Sequence, residues 1–161
     1  MTPNSSPARI ASYREFWPYY ISEHRSATSR RLHFVGTTGF VLVLLGCLLT
    51  APLRMGLALA LSGVALVVGF RMEARRSAAP VLLGVVLGCA LANPAVLLGV
   101  LWAYGFAWYG HFRVEGNRPA TFVYPLWSLA SDFKMVGLMG SGHLWTGDAR
   151  DIAPLSVESD G

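Results

Sequence analysis

The chain has 161 residues, 53% of them hydrophobic and 14% charged, with a mean hydropathy of +0.46. A soluble domain carries about 25% charged residues, so the composition argues for a single membrane-embedded domain. The net charge of +4 does not point to nucleic acid, because the arginines cluster at the ends of apolar runs, where they set topology and meet anionic headgroups.

Residues 1–12, rich in Ser and Pro, are expected to be disordered. Residues 13–140 are expected to form the domain, and 141–161 a flexible tail. No early hydrophobic leader follows Met1. Tyr13, Phe16, Trp17, Tyr19 and Tyr20, mixed with charged residues, predict an interfacial helix started by Pro18 as a first-turn residue. A first span is predicted over Leu32–Ala51, a tight turn at Pro52 and Arg54, and a second span over Met55–Phe70. The following loop carries Arg71, Glu73, Arg75 and Arg76, with Glu73 read as a solvated ion-pair partner.

Residues 80–110 contain no charge over 31 positions. As one helix they would run roughly 46 Å, too long for a ~30 Å hydrocarbon core. Asn93-Pro94 lies in the middle, and a residue before proline resists the helical region. Two spans are therefore predicted, Pro80–Ala92 and Pro94–Phe112, with one long kinked helix as the alternative. Residues 124–140 read as a second surface helix, with Leu126, Leu129, Phe133 and Val136 on its apolar stripe and Asp132 and Lys134 off it. The predicted fold class is all-α: an integral membrane bundle of about four transmembrane helices, with interfacial helices at both ends. Twelve of the thirteen basic residues then share one face, leaving only Arg54 on the other. By the positive-inside rule that face, with both termini, is cytoplasmic.

Small residues recur in the spans, as in Gly84-x-x-x-Gly88, Gly99-x-x-x-Ala103-x-x-x-Ala107, and Gly63 with Gly69. They permit close packing within the chain or between copies in a homo-oligomer. Cys47 and Cys89 both lie in apolar runs and read as small hydrophobes.

The four-span topology brings two polar blocks together at one membrane face. His24 and His33 precede the first span, and His111 and Glu115 follow the last, four apart and so on one helix face. Three imidazoles and a carboxylate suit non-haem Fe(II), and zinc uses the same ligand types. Arg30, Arg31, Asn117 and Arg118 flank the blocks, and an arginine fork can hold a carboxylate or phosphate. Each residue also has a plainer reading: hydrogen bonding or snorkelling for the histidines, an ion pair for Glu115, topology for the arginines. His143 falls in the predicted tail. No phosphate-binding loop, dinucleotide fingerprint, nucleophile elbow or Cys-pair zinc motif occurs.

These blocks carry a resemblance. Phe16-Trp17-Pro18-Tyr19-Tyr20, His24 and Arg30-x-x-His33-x-x-Gly36 resemble the opening block of the 2-hydroxy fatty acid dioxygenases, small membrane proteins. Gly110-His111-x-x-x-Glu115-x-Asn117-Arg118-Pro119-Ala120 matches their second block more sharply, and Tyr124-Pro125-Leu126-Trp127-Ser128-Leu129 is similar to the tail of compact bacterial members. Arg25-Ser26 departs from the residues often found after the first histidine. The resemblance implies Fe(II)-dependent alpha-oxidation, in which a 2-hydroxy fatty acid and O2 give the acid one carbon shorter. It places the family's histidines at His24, His33 and His111, and a bacterial inner membrane is the implied location. On this reading Glu115 completes the ligand set or orients His111, and Arg118 steadies the substrate carboxylate. Two other classes fit the residues: a non-enzymatic membrane protein that binds anionic lipids or a partner, and a zinc-dependent membrane hydrolase.

Overall fold

The Ser12 hydroxyl accepts from the Glu15 N–H at 3.2 Å, and this N-cap starts the first helix, α1 (Tyr13–Ser22). Pro18 therefore lies inside α1, not in its first turn as expected. The computed structural model describes residues 9–149; among them there are six α-helices and no strand.

The bundle consists of α2 (Ala27–Thr50), α3 (Pro52–Met72), α4 (Ala79–Ala92) and α5 (Val96–Tyr109). Ser26 caps α2 through the Thr28 N–H, and Pro52 opens α3 directly after it. Asn93 is extended (φ −155°, ψ 111°), as a residue before proline must be, so the uncharged run breaks where predicted. The Asn93 amide donates to the Thr50 hydroxyl at 3.2 Å, joining the α4–α5 turn to the α2–α3 turn.

The four helices pair antiparallel. Gly36 meets the backbone of Ala103, Gly39 lies under the Trp102 ring, and Gly99 meets Phe40 and Val43, so α2 and α5 approach where a side chain would not fit. Gly99 and Ala103 thus pack within the chain, whereas Gly63, Gly84 and Gly88 face open space. Gly69 against Val81, and Ser62 3.5 Å from Cys89, mark the α3–α4 pair. Cys47, Ala51, Met55, Cys89 and Val96 close the space between the pairs at the end where the two turns meet.

The opposite end is capped by α1 and by α6 (Pro125–Gly140), around Phe16, Trp17, Tyr20, Tyr124 and Trp127. Glu73 is anchored here and is not solvated. It is fully buried, and its carboxylate accepts from the N–H groups of Ala78 (3.2 Å), Leu126 (2.5 Å) and Trp127 (2.8 Å). Leu126 and Trp127 lie in the first turn of α6, whose N–H groups have no partner within the helix, so Glu73 caps α6 from the end of α3.

The stretch 141–149 is also docked, contrary to the expected loose tail. Leu144 and Ala149 are buried in the aromatic cluster, and the Ala149 N–H donates to the Arg25 carbonyl at 3.3 Å. Arg9, in the segment expected to be disordered, donates to the carbonyls of Glu73 and Val123. Residues 1–8 and 150–161 of these two segments lie outside the described residues.

Two helices, α2 and α3, are long and apolar enough to cross a membrane, and only 22% and 17% of their most apolar stretches are buried within the protein. Leu42, Leu49, Leu57, Leu61 and Leu91 all point outward, an apolar surface that soluble monomers rarely carry. With 14 residues, α4 extends ~21 Å, short of a ~30 Å hydrocarbon core.

Candidate metal centre

His24 lies just past α1, His33 in the second turn of α2, and His111 after α5, where Gly110–Glu115 widens into a π-helical turn. One ring nitrogen of each lies within 4.8 Å of the others. All three rings are buried, at 0%, 4% and 3% exposure. Gly110 makes room for this convergence: a side chain there would press on the Ser29 hydroxyl.

The Nδ1 atoms define the protonation of the site. His24 Nδ1 is 2.7 Å from the Tyr20 carbonyl oxygen, His33 Nδ1 is 2.7 Å from Asp132 Oδ1, and His111 Nδ1 is 2.7 Å from Asn117 Oδ1. The Asn117 amide orientation follows from its Nδ2, which donates to the Glu23 carbonyl and carboxylate. Every Nδ1 partner is an acceptor, so each Nδ1 carries the proton and each Nε2 presents a lone pair.

His24 Nε2 and His33 Nε2 are 3.2 Å apart. Lone pairs that converge without a donor call for a cation between them. Burial, then the neighbouring His33 and His111, holds the His24 imidazole well below its usual pKa, which disfavours a proton in that role. A metal ion meets the same need, and an acceptor behind each Nδ1 is the usual support of a metal-bound histidine. The residues present therefore fit a metal held by three neutral imidazoles. The donor set alone does not separate iron from zinc.

Asp132 and Tyr20 complete the surroundings. The Tyr20 hydroxyl donates to the same Asp132 oxygen that His33 engages. Burial, then Asp132, pushes the Tyr20 phenol well above its ordinary pKa, so it remains a donor. The sequence reading missed both residues. The available signals were that Asp132 is the only acidic residue between Glu115 and Asp148, and that Tyr20 lies one helical turn before His24.

The other nominated residues lie elsewhere. The Glu115 carboxylate accepts from the Ser26 N–H at 2.8 Å and is not part of the histidine cluster. Its turn ends at left-handed Gly116, and its carboxylate is taken up by the Ser26 N–H just ahead of α2 instead of turning to the histidines. Asn117 stands behind His111. Arg30 is fully buried, and its guanidinium donates to the carbonyls of Leu144, His24, Arg25, Thr146 and Gly147. Arg31 donates to the Trp145 carbonyl at 2.8 Å. Arg118 is exposed. His143 is exposed, with Nδ1 3.1 Å from the Ser141 hydroxyl.

A cavity of about 280 Å³ opens from the cluster into the bundle. His33, His111, Tyr20 and Asp132 line one end, and Leu44, Leu59 and Val96 the other. Among the lining residues Asp132 is the only acid, and there is no arginine or lysine.

A buried tri-histidine cluster at the mouth of an apolar cavity, inside a helical bundle, defines a candidate metalloprotein for an apolar substrate. The chain belongs to the family described as 2-hydroxy-palmitic acid dioxygenase Mpo1-like, which matches residues 10–144. No curated protein and no solved structure matches the chain.

Proposed function

We propose that the protein is an Fe(II)-dependent dioxygenase that converts a 2-hydroxy fatty acid and O2 to the fatty acid one carbon shorter. The carrying observation is the junction of the buried His24–His33–His111 cluster with an apolar cavity. The family description supports the substrate class and the reaction. The atoms balance if the first carbon leaves as carbon dioxide together with one water.

In this reading His24, His33 and His111 would hold the iron, which would supply O2 activation and a positive charge for the substrate carboxylate. Asp132 accepts from the His33 Nδ1–H and so fixes the orientation of the ring. Tyr20 and Asn117 fix His24 and His111 in the same way, through a backbone carbonyl and a side-chain amide oxygen. The acyl chain extends into the bundle, where burial of each methylene contributes ~0.8 kcal/mol.

The same reading places the protein in a membrane with four spans, α2 to α5, α5 being extended by the π-helical turn. Among the described basic residues only Arg54 falls at the far end of the bundle. The positive-inside rule then sets the metal site and both termini on the cytoplasmic side, in a bacterial inner membrane.

The test is anaerobic purification in mild detergent, metal analysis, and an assay with 2-hydroxy acids under O2, alongside His111→Ala. About one iron per chain, absent from the variant, with O2-dependent loss of one carbon, is the expected result. Stoichiometric zinc with ester or amide hydrolysis would replace the reading with a hydrolase. Absence of metal after Fe(II) loading would replace it with a lipid-binding protein.

A further inference from the structure

The cavity has a polar end and an apolar shaft whose floor lies on the Met55 cluster. From His33 to Leu44 its lining descends eleven positions of α2, ~16 Å at 1.5 Å per residue. One leaflet of a ~30 Å hydrocarbon core is about 15 Å deep, so the shaft is about as long as one extended membrane acyl chain. Leu44, Leu59, Cys89 and Val96 form its lower walls. They belong to the cluster around Met55, which is fully buried and closes the bundle beside the two turns. Asn93, hydrogen-bonded to Thr50, ties those turns together.

We propose that this floor is a ruler: Val96 stops the methyl end of a long acyl chain whose head lies at the histidines, and Met55 holds the floor from beneath. The inference rests on the fatty-acyl reading of the substrate but not on turnover. An unsubstituted fatty acid has the same chain and fits the same shaft. Each added methylene that still enters the cavity raises affinity about fourfold. Affinity stops rising once the methyl group reaches the floor, since a further carbon has no apolar space to fill. The position of that plateau measures the depth of the cavity.

Binding of saturated fatty acids of about eight to about twenty carbons is measured by calorimetry in detergent, at the slope expected per methylene. Wild type is expected to rise and then plateau. Val96→Phe fills the lower shaft and moves the plateau to shorter chains. Met55→Ala leaves a void below the floor and moves it to longer chains. Two variants that shift in opposite directions separate the ruler from general loss of fold, which would weaken every length alike. A plateau unmoved in both variants, or a uniform loss in both, overturns the ruler. A wild type that shows the plateau but converts no 2-hydroxy acid under O2 leaves the ruler standing and removes the dioxygenase reading. Conversion of 2-hydroxy acids with an unmoved plateau does the reverse.

Discussion

His33 and Asp132 are 99 positions apart in the chain and meet at 2.7 Å between Nδ1 and Oδ1. The contact ties α6 to the bundle at the candidate metal site. It also converts an exposed-looking acid on a surface helix into the partner that orients a buried imidazole. Asp132 is not one of the clustered ligands, so its effect on the site passes through His33.

Asp132→Asn is expected to weaken metal affinity by about 10- to 100-fold, the usual effect of altering a partner behind a metal-bound histidine. Asn retains an oxygen that can accept from His33 but loses the charge, so Asp132→Ala is expected to be weaker still. Competition with a chelator of known affinity measures both. An Asp132→Ala protein that holds metal as tightly as wild type would remove Asp132 from the site.

The parts of this architecture that could be read from sequence are those written locally. Asn93-Pro94 breaks an uncharged run, and that break survives in the structure because the restriction before proline acts on one residue. The three histidines were legible because topology alone returns His111 to the end occupied by His24 and His33. Asp132 was not, because its role depends on how α6 docks, and an amphipathic pattern marks only which face is apolar. Glu115 misled because its spacing from His111 says nothing of the Ser26 backbone N–H, 89 positions away, that takes its carboxylate. Glu73 looked solvated among Arg71, Arg75 and Arg76, yet its partners are backbone N–H groups that no side-chain pattern reveals. Arg30 likewise serves backbone carbonyls, most of them in the docked stretch 144–147.

The metal-free protein is expected to lose stability as pH falls below the ordinary histidine value of ~6.5. The His24 imidazole is held below that value in the folded state, by burial first and the neighbouring histidines second. Between the lowered folded pKa and the unfolded one, the unfolded chain binds more protons. Stability therefore falls with falling pH, by about 1.4 kcal/mol per unit for a single such group. Denaturant unfolding of chelated protein from about pH 7.5 to about pH 5.5 would show it. His24→Asn is expected to flatten the profile, and parallel profiles for the two proteins would show that His24 does not control it.

Arg30→Met is expected to release the stretch 141–149 and loosen the turn that carries His24. The guanidinium holds the His24 and Arg25 carbonyls on one side and those of Leu144, Thr146 and Gly147 on the other. Removing it orphans several buried acceptors, at about 1–3 kcal/mol for each one left without water. Limited proteolysis should then cut between Ser141 and Ala149 faster than in wild type, with weaker metal retention. Unchanged cleavage would mean that the aromatic cluster alone docks this stretch.

Glu73→Ala tests whether α6 is held from α3. Its carboxylate serves three buried N–H groups, two of them in the first turn of α6. Each orphaned donor costs about 1–3 kcal/mol, and the costs do not add fully because the ends can relax toward one another. A net loss of about 3 kcal/mol is expected, roughly a 10 °C fall in Tm for a chain of this size. Glu73→Gln keeps one acceptor oxygen and should lose about half as much. A solvated ion-pair partner would behave differently, since surface substitutions usually stay within about 0.5 kcal/mol. Because α6 carries Asp132 to His33, the Ala variant should also bind metal more weakly than wild type at a temperature where both are folded. A Tm shift within the surface range would show that Pro125 and the aromatic cluster suffice to start α6.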